Sequence, residues 1–436
     1  MTFRLPAFRD DSSLLRHGAL LVFANFLGAL CNAAFHMVSG RLLSPPEYAA
    51  LAAMLGLILA VGTPMLALQN TLAHYVALHL AADRACCVRP FFARVLRPFL
   101  LLAVLVAAVG LLFRGPLAAC WPGVAPSLAA LAFAVLGVTL LMYPVYGLLQ
   151  GLQAFTALAW TPQAWGSTRF LVGWLLLVLV APTAFCALSA QGLGVLLVLL
   201  FGFLSARRHL APPPCPHPAA LPAGFFRYWL ASALVLASFA CLMNLDVTLA
   251  AHYFGTAASA TFAKAATIAR TAVFLPQPVA LALFPKVASD GTVPADAPRL
   301  LRRALLFAGL LIAGTAAVCC LFPILPWTIL YGAPDPAETA EAYASLRAMT
   351  LAFVPLAFTY LLLHYETAQR RFRASFALLP AAAFYLLALA FRHTALLDIP
   401  AYLAIASLLS LLPLALSSLR PPRRRPDSPA PLANNH

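Results

Sequence analysis

From residue 18 to residue 419 the chain repeats one pattern, an apolar run followed by a short polar break. A helix needs about 20 apolar residues to cross the hydrocarbon core of a bilayer, and helices and closed barrels are the structures that satisfy their backbone there. Barrel strands would alternate polar and apolar at every second residue, which these runs do not do. The runs place helices near residues 18 to 39, 50 to 80, 98 to 113, 127 to 148, 157 to 180 and 184 to 205. A second group falls near 229 to 253, 260 to 284, 303 to 322, 346 to 365, 374 to 391 and 397 to 418. With 63% hydrophobic and 9% charged residues, against roughly 25% charged in soluble domains, a soluble core could not absorb the apolar surface. The expected fold class is an all-α integral membrane protein of about 12 transmembrane helices. The first run is too long for a secretory h-region and reads as a permanent helix.

The net charge of +15 is explained by topology rather than by nucleic acid, because no stretch combines basic residues with aromatics on a polar scaffold. Of the 28 Lys and Arg, 21 fall in alternate breaks: the N-terminus, residues 81 to 97, the central linker, the loop after 285, residues 366 to 373 and the tail. The positive-inside rule then puts both termini in the cytoplasm, which an even number of spans requires. The linker carries Pro212, Pro213, Pro214, Pro216, Pro218 and Pro222 and so cannot be helical. It divides the chain into an N-terminal six-helix lobe (1–205), the linker (206–228), a C-terminal six-helix lobe (229–420) and a polar tail (421–436) expected to be disordered. The lobes resemble each other faintly. Leu43 and Ala77, like Phe254 and Ala288, are 34 positions apart, with Pro64 and Pro276 interrupting the enclosed spans. Six spans per repeat keep both repeats in one orientation, about an axis normal to the membrane, with room for a cavity between them.

Ionisable groups inside spans are rare and usually face a cavity or a partner. Four stand out: Arg169 in the fifth span, Asp246 in the seventh, and Lys264 and Arg270 in the eighth. Asp246 and Lys264 lie at similar distances from the turn joining their helices, so an ion pair between them is expected. Lys264, Thr267 and Arg270 form a polar stripe, and with Arg169 they predict a cationic chamber whose guanidinium forks would hold a diphosphate. Pro64, Pro276 and Pro355 are expected to break helices. His36, His74 and His79 read as packing or helix-end residues, and Glu366 as a partner of Arg370 at i, i+4. The nine cysteines show no ligand spacing, so neither a metal nor a cofactor is expected. No nucleophile elbow, Walker A sequence or H-E-x-x-H occurs, and no large extramembrane loop is available for catalysis.

Arg41-Leu42-Leu43-Ser44-Pro45-Pro46-Glu47-Tyr48 resembles the R-L-L-G-P-E-E-Y-G signature of polysaccharide-exporter, Wzx-type flippases, in the multidrug/oligosaccharidyl-lipid/polysaccharide exporter superfamily. Gln150-Gly151-Leu152-Gln153-Ala154-Phe155 looks like that family's Q-G-x-x-R-F turn. Asn244-Leu245-Asp246 with Tyr253-Phe254-Gly255 resembles its seventh span, and Leu283 to Val287 the end of its eighth. Ala49, Ala154 and Thr261-Phe262 depart from the pattern. The resemblance covers residues 18 to 290 and implies two six-helix lobes around a central cavity and alternating access. It also implies export of a polyprenyl-diphosphate-linked oligosaccharide across a bacterial inner membrane, by a monomer that could meet polysaccharide-assembly proteins. A cation-coupled exporter of small molecules from the same superfamily is the alternative; a polytopic glycosyltransferase or ligase would need a sizeable outer loop. No enzyme activity is expected, and the partners are the lipid-linked oligosaccharide and membrane lipids.

Overall fold

In lipid a chain can pair its backbone polar groups only with itself, and each apolar run accordingly becomes a helix. The computed structural model describes residues 11–82, 84–207, 210, 225–277, 297–368 and 373–418, and no strand occurs among them. The first half comprises α1 (Asp11–Leu42), α2 (Pro45–Gly62), α3 (Leu66–Ala81), α4 (Val88–Leu112), the short α5 (Arg114–Ala119), α6 (Pro126–Gly151), α7 (Phe155–Leu179) and α8 (Ala184–Ala206). The second comprises α9 (Phe225–Tyr253), α10 (Thr256–Ala269), the single turn α11 (Thr271–Phe274), α12 (Ala297–Leu321), α13 (Ile324–Tyr331), α14 (Thr339–Ala368), α15 (Leu378–Phe391) and α16 (Asp398–Ser418). Eight helices among the described residues are long and apolar enough to cross a membrane, with α2 and α3 joined as one of them. The proline-rich linker lies largely, and the tail entirely, outside the described residues, as does the far end of the eighth span.

In the first lobe α6 packs between α4 and α8, and α7 between α1 and α8. Glycines permit the closest approaches: a Cβ on Gly137 would stand 2.5 Å from the Ala103 carbonyl oxygen, and one on Gly147 2.6 Å from that of Gln69. Small residues at helix contacts serve this purpose where lipid gives no hydrophobic drive to association. In the second lobe α14 packs against α10, α12 and α16, and α15 against α9 and α16. The lobes meet mainly where α2 and α3 lie along α9 and where α2 meets α10. A Cβ on Gly56 would sit 2.7 Å from the Asn244 carbonyl oxygen, and Thr248 donates to the Ala53 carbonyl oxygen at 2.9 Å. Further along the same seam Phe225, at the start of α9, packs its ring against Tyr75 and Phe91.

Proline breaks follow the expectation in part. Thr63–Met65 is a 3-10 turn between α2 and α3, around Pro64. The eighth span breaks twice, at Arg270 and again at the turn Leu275–Pro276, where Pro276 is expected to interrupt it. Pro355 interrupts nothing; it lies inside the continuous α14, where its carbonyl oxygen accepts from the Thr359 hydroxyl at 3.0 Å. Arg370, the expected partner of Glu366, is outside the described residues; Ser417 donates to Glu366 at 3.0 Å.

Candidate functional site

The four intramembrane charges converge from both lobes toward the first turns of α2. Arg169 is 2% exposed on α7. Its Nη1 donates to Asn32 Oδ1 at 2.9 Å and its Nη2 to His36 Nε2 at 3.4 Å, which requires the imidazole proton to sit on Nδ1. The guanidinium lies 3.9 Å above the Phe35 ring centroid, a cation–π contact that replaces part of the lost hydration. Its Nε is buried without a hydrogen-bond partner, and no carboxylate pairs with it among the described residues. Asn32, Phe35 and His36 recur at three- and four-residue spacing on α1, so one helix supplies both polar partners and the ring.

Across the seam Arg270, where α10 gives way to α11, donates through Nη2 to Asp246 Oδ1 and through Nε to the Met243 carbonyl oxygen at 3.0 Å. Asp246 is fully buried and Arg270 11% exposed. The expected Asp246–Lys264 pair is therefore corrected to Asp246–Arg270. Lys264 and Arg270 are six residues apart, which turns them about 120° from each other around a helix. Only one of the two can address α9, and the arginine's longer, forked side chain does so. Lys264 points instead between Tyr48 and Tyr331, its Nζ 5.6 and 5.5 Å from their ring centroids. The Lys264–Thr267–Arg270 stripe is half-buried along its length.

Two tyrosines join the clusters. Tyr48, at the start of α2, and Tyr331, at the end of α13, bring their hydroxyl oxygens to 3.1 Å, with the Thr267 hydroxyl beside both. The fields of Arg169 and Arg270 both reach His36 and Tyr48. The site thus gathers a buried carboxylate, Asp246, on Arg270, with Arg169 on the Phe35 ring and Lys264 beside the Tyr48–Tyr331 pair. Glu338, which accepts from the Thr261 hydroxyl at 2.9 Å, escaped sequence reasoning because it sits in a polar stretch that reads as a solvated loop. His36 escaped because its partner lies 133 positions away. A cavity of about 640 Å³ opens elsewhere, between α1, α7 and α8, and is lined by Leu27, Cys31, Trp160, Gln163 and Phe201 among others. It touches none of the four charges.

The Arg41 to Tyr48 segment closes the end that the charge distribution predicts to face outward. Arg41 Nε donates to the Leu330 carbonyl oxygen at 2.9 Å and Nη2 to that of Ile329 at 2.7 Å. These are carbonyls at the C-terminus of α13, the negative end of its dipole, and Gly332 at φ 84° ends the helix behind them. Glu47 accepts from the Ala184 backbone N–H at 2.5 Å, at the N-terminus of α8. At the same end Trp121 Nε1 donates to the Thr248 carbonyl oxygen at 3.2 Å.

Neither a scan of protein-family models nor a search of curated proteins finds a match to this sequence. Solved structures do match in shape. The chain is similar to the inward-facing conformation of a multidrug resistance MATE family transporter of the MOP superfamily, at TM-score 0.71 and 14% identity, covering 92% of this chain and 98% of that one. Against an outward-facing conformation of such a transporter the TM-score is 0.64 at 16% identity, over 94% and 96% of the two chains. A Pyrococcus furiosus MOP superfamily transporter, described as having a binding pocket of reversed polarity that suggests a different function, matches at TM-score 0.64 and 15% identity, over 93% and 95%. Over nearly its whole length, then, the chain has the two-lobe, all-helical fold of the MOP superfamily transporters.

Proposed function

We propose that this chain is an alternating-access membrane transporter whose substrate carries an anionic head, most specifically a polyprenyl-diphosphate-linked oligosaccharide moved from the inner to the outer leaflet. The observation that carries this reading is Arg169, a buried guanidinium with neutral partners only among the described residues. A charge in that position attracts an anion far more strongly than one in water. Arg270 and Lys264 face the same region from the other lobe, so a diphosphate held between lobes would meet cations on both sides. A diphosphate suits this arrangement because guanidinium forks bind phosphate oxygens bidentately. Movement of one lobe against the other would then carry the head across while the lipid tail stays in hydrocarbon.

A second reading, cation-coupled export of small molecules, is favoured by the solved neighbours, several of which are MATE multidrug transporters. Asp246, a buried carboxylate paired with Arg270 at the interlobe seam, is placed to serve it. The two readings separate on deletion of the gene. A lipid-linked transporter leaves a complete saccharide unit on its carrier, accumulated on the cytoplasmic face, and plasmid-borne Arg169→Ala fails to clear it. Normal lipid-linked intermediates together with increased drug sensitivity would establish the exporter instead.

A further inference from the structure

Arg270 has two faces. One edge is spent on Asp246 and the Met243 carbonyl, while Nη1 makes no hydrogen bond among the described residues and the side chain keeps 11% of its surface exposed. Asp246, wholly buried, meets it through one oxygen only, and its Oδ2 has no hydrogen-bond partner among the described residues. A carboxylate whose role is to anchor an arginine gains most from the bidentate arrangement, with two parallel N–H···O bonds. Asp246 forgoes it. On α15, which packs against the helix of Asp246, lies Tyr385, also wholly buried, whose hydroxyl has no hydrogen-bond partner among the described residues. A buried donor and a buried acceptor, both unsatisfied and carried on packed helices, leave a bond that a side-chain turn could make.

We propose that Asp246 is an exchangeable counter-ion for Arg270, standing in for the phosphate of the substrate. An incoming diphosphate takes the guanidinium from the carboxylate, and Asp246 Oδ2 turns to accept a hydrogen bond from the Tyr385 hydroxyl. No covalent bond changes; one charge-assisted pair is exchanged for another, and the phenol keeps the released carboxylate from remaining buried and unpaired. Asp246 thereby sets the affinity of the site and keeps Arg270 from binding weaker anions. This rests on the anionic-substrate reading and adds to it the group that the anion must displace.

Inorganic pyrophosphate is the probe, titrated calorimetrically into the full chain in nanodiscs. Removing the competing charge with Asp246→Asn should tighten pyrophosphate binding by about tenfold, the weight of one charge-assisted hydrogen bond. Tyr385→Phe should weaken it, and Arg270→Gln should abolish it with or without Asp246→Asn. If the wild type binds pyrophosphate and loses it in Arg270→Gln, yet Asp246→Asn binds no more tightly, the exchange is overturned and the anionic reading stands. If neither wild type nor Asp246→Asn binds pyrophosphate, both fall. Should Asp246→Asn not fold, the wild type decides: dicyclohexylcarbodiimide labelling of Asp246, read by mass spectrometry, should rise several-fold with pyrophosphate, and an unchanged or lower yield would overturn the exchange.

Discussion

Placing an arginine deep in a helix bundle costs about 2.5 to 3.5 kcal/mol on insertion scales, and Arg169 recovers part of this from Asn32, His36 and the Phe35 ring. The interactions are neutral on the partner's side, so folding alone gives little reason for the charge. Replacing buried ions with apolar groups of similar volume is often neutral or stabilising, by about 1 to 4 kcal/mol. Arg169→Leu should therefore leave the midpoint of thermal unfolding unchanged or raised while abolishing transport. A large fall in that midpoint would make Arg169 a structural residue. The same reasoning shows what a single sequence can reveal of a site. Arg169, Asp246, Lys264 and Arg270 were conspicuous because charge is rare in apolar runs. Which of them pair was not legible, because pairing depends on azimuth as well as depth: Lys264 shares the depth of Asp246 but turns about 120° away from Arg270, toward Tyr48 and Tyr331. His36 and Glu338 were hidden because each acquires meaning only from a partner on another helix.

Among the elements, the turn between α1 and α2 shows how a sequence signature becomes mechanical. Its arginine reaches the C-terminal carbonyls of α13, its glutamate the N-terminus of α8, and its tyrosine the hydroxyl of Tyr331. Sequence placed this motif beyond the first apolar run, whereas Arg41 and Leu42 still belong to α1, and it could not supply the motif's partners, since α13 has only 8 residues and reads as part of a long loop. The apolar runs themselves were legible because their length is set by the bilayer; α8 and α16 begin and end within a residue or so of the sequence expectation. Helix breaks were less so, since Pro355 is accommodated inside α14 and the eighth span breaks at Arg270 in addition to the expected break at Pro276. Arg41 and Tyr331 belong to opposite lobes, so their contacts hold one end of the interlobe seam shut. Arg41→Ala combined with Tyr331→Phe should open that end. In a background lacking native cysteines, Thr267→Cys would then react at least several-fold faster with an impermeant maleimide added outside, and equal rates with and without the two substitutions would remove the clasp from the gating scheme.

At the scale of the whole molecule the two lobes are joined unequally. Along one seam α9 lies against α2 and α3 from Thr248, beside Ala53, to Phe225, beside Tyr75 and Phe91. Along the other, α1 meets the second lobe chiefly through α13, at the end carrying Arg41. A body fastened along one seam and clasped at one end of the other can part only at the remaining end. Which end faces the cytoplasm can be read from two native thiols: Cys120 is exposed in the break after α5, and Cys86 precedes α4 at the opposite end. In intact cells an impermeant maleimide should label Cys120 and reach Cys86 only after permeabilisation; the reverse pattern would invert the topology. Under the proposed alternating access, the unequal seams also fix where movement would occur. Spin labels at Phe26 on α1 and Phe274 on α11, both exposed, straddle the lightly joined seam, so their distance distribution should shift when a diphosphate-bearing lipid is added. Labels at Leu78 and Phe226, exposed on α3 and α9, straddle the fastened seam and should keep one narrow distance throughout. If the second pair moves as far as the first, α9 is not the hinge, and the lobes separate as independent bodies rather than folding about a common edge.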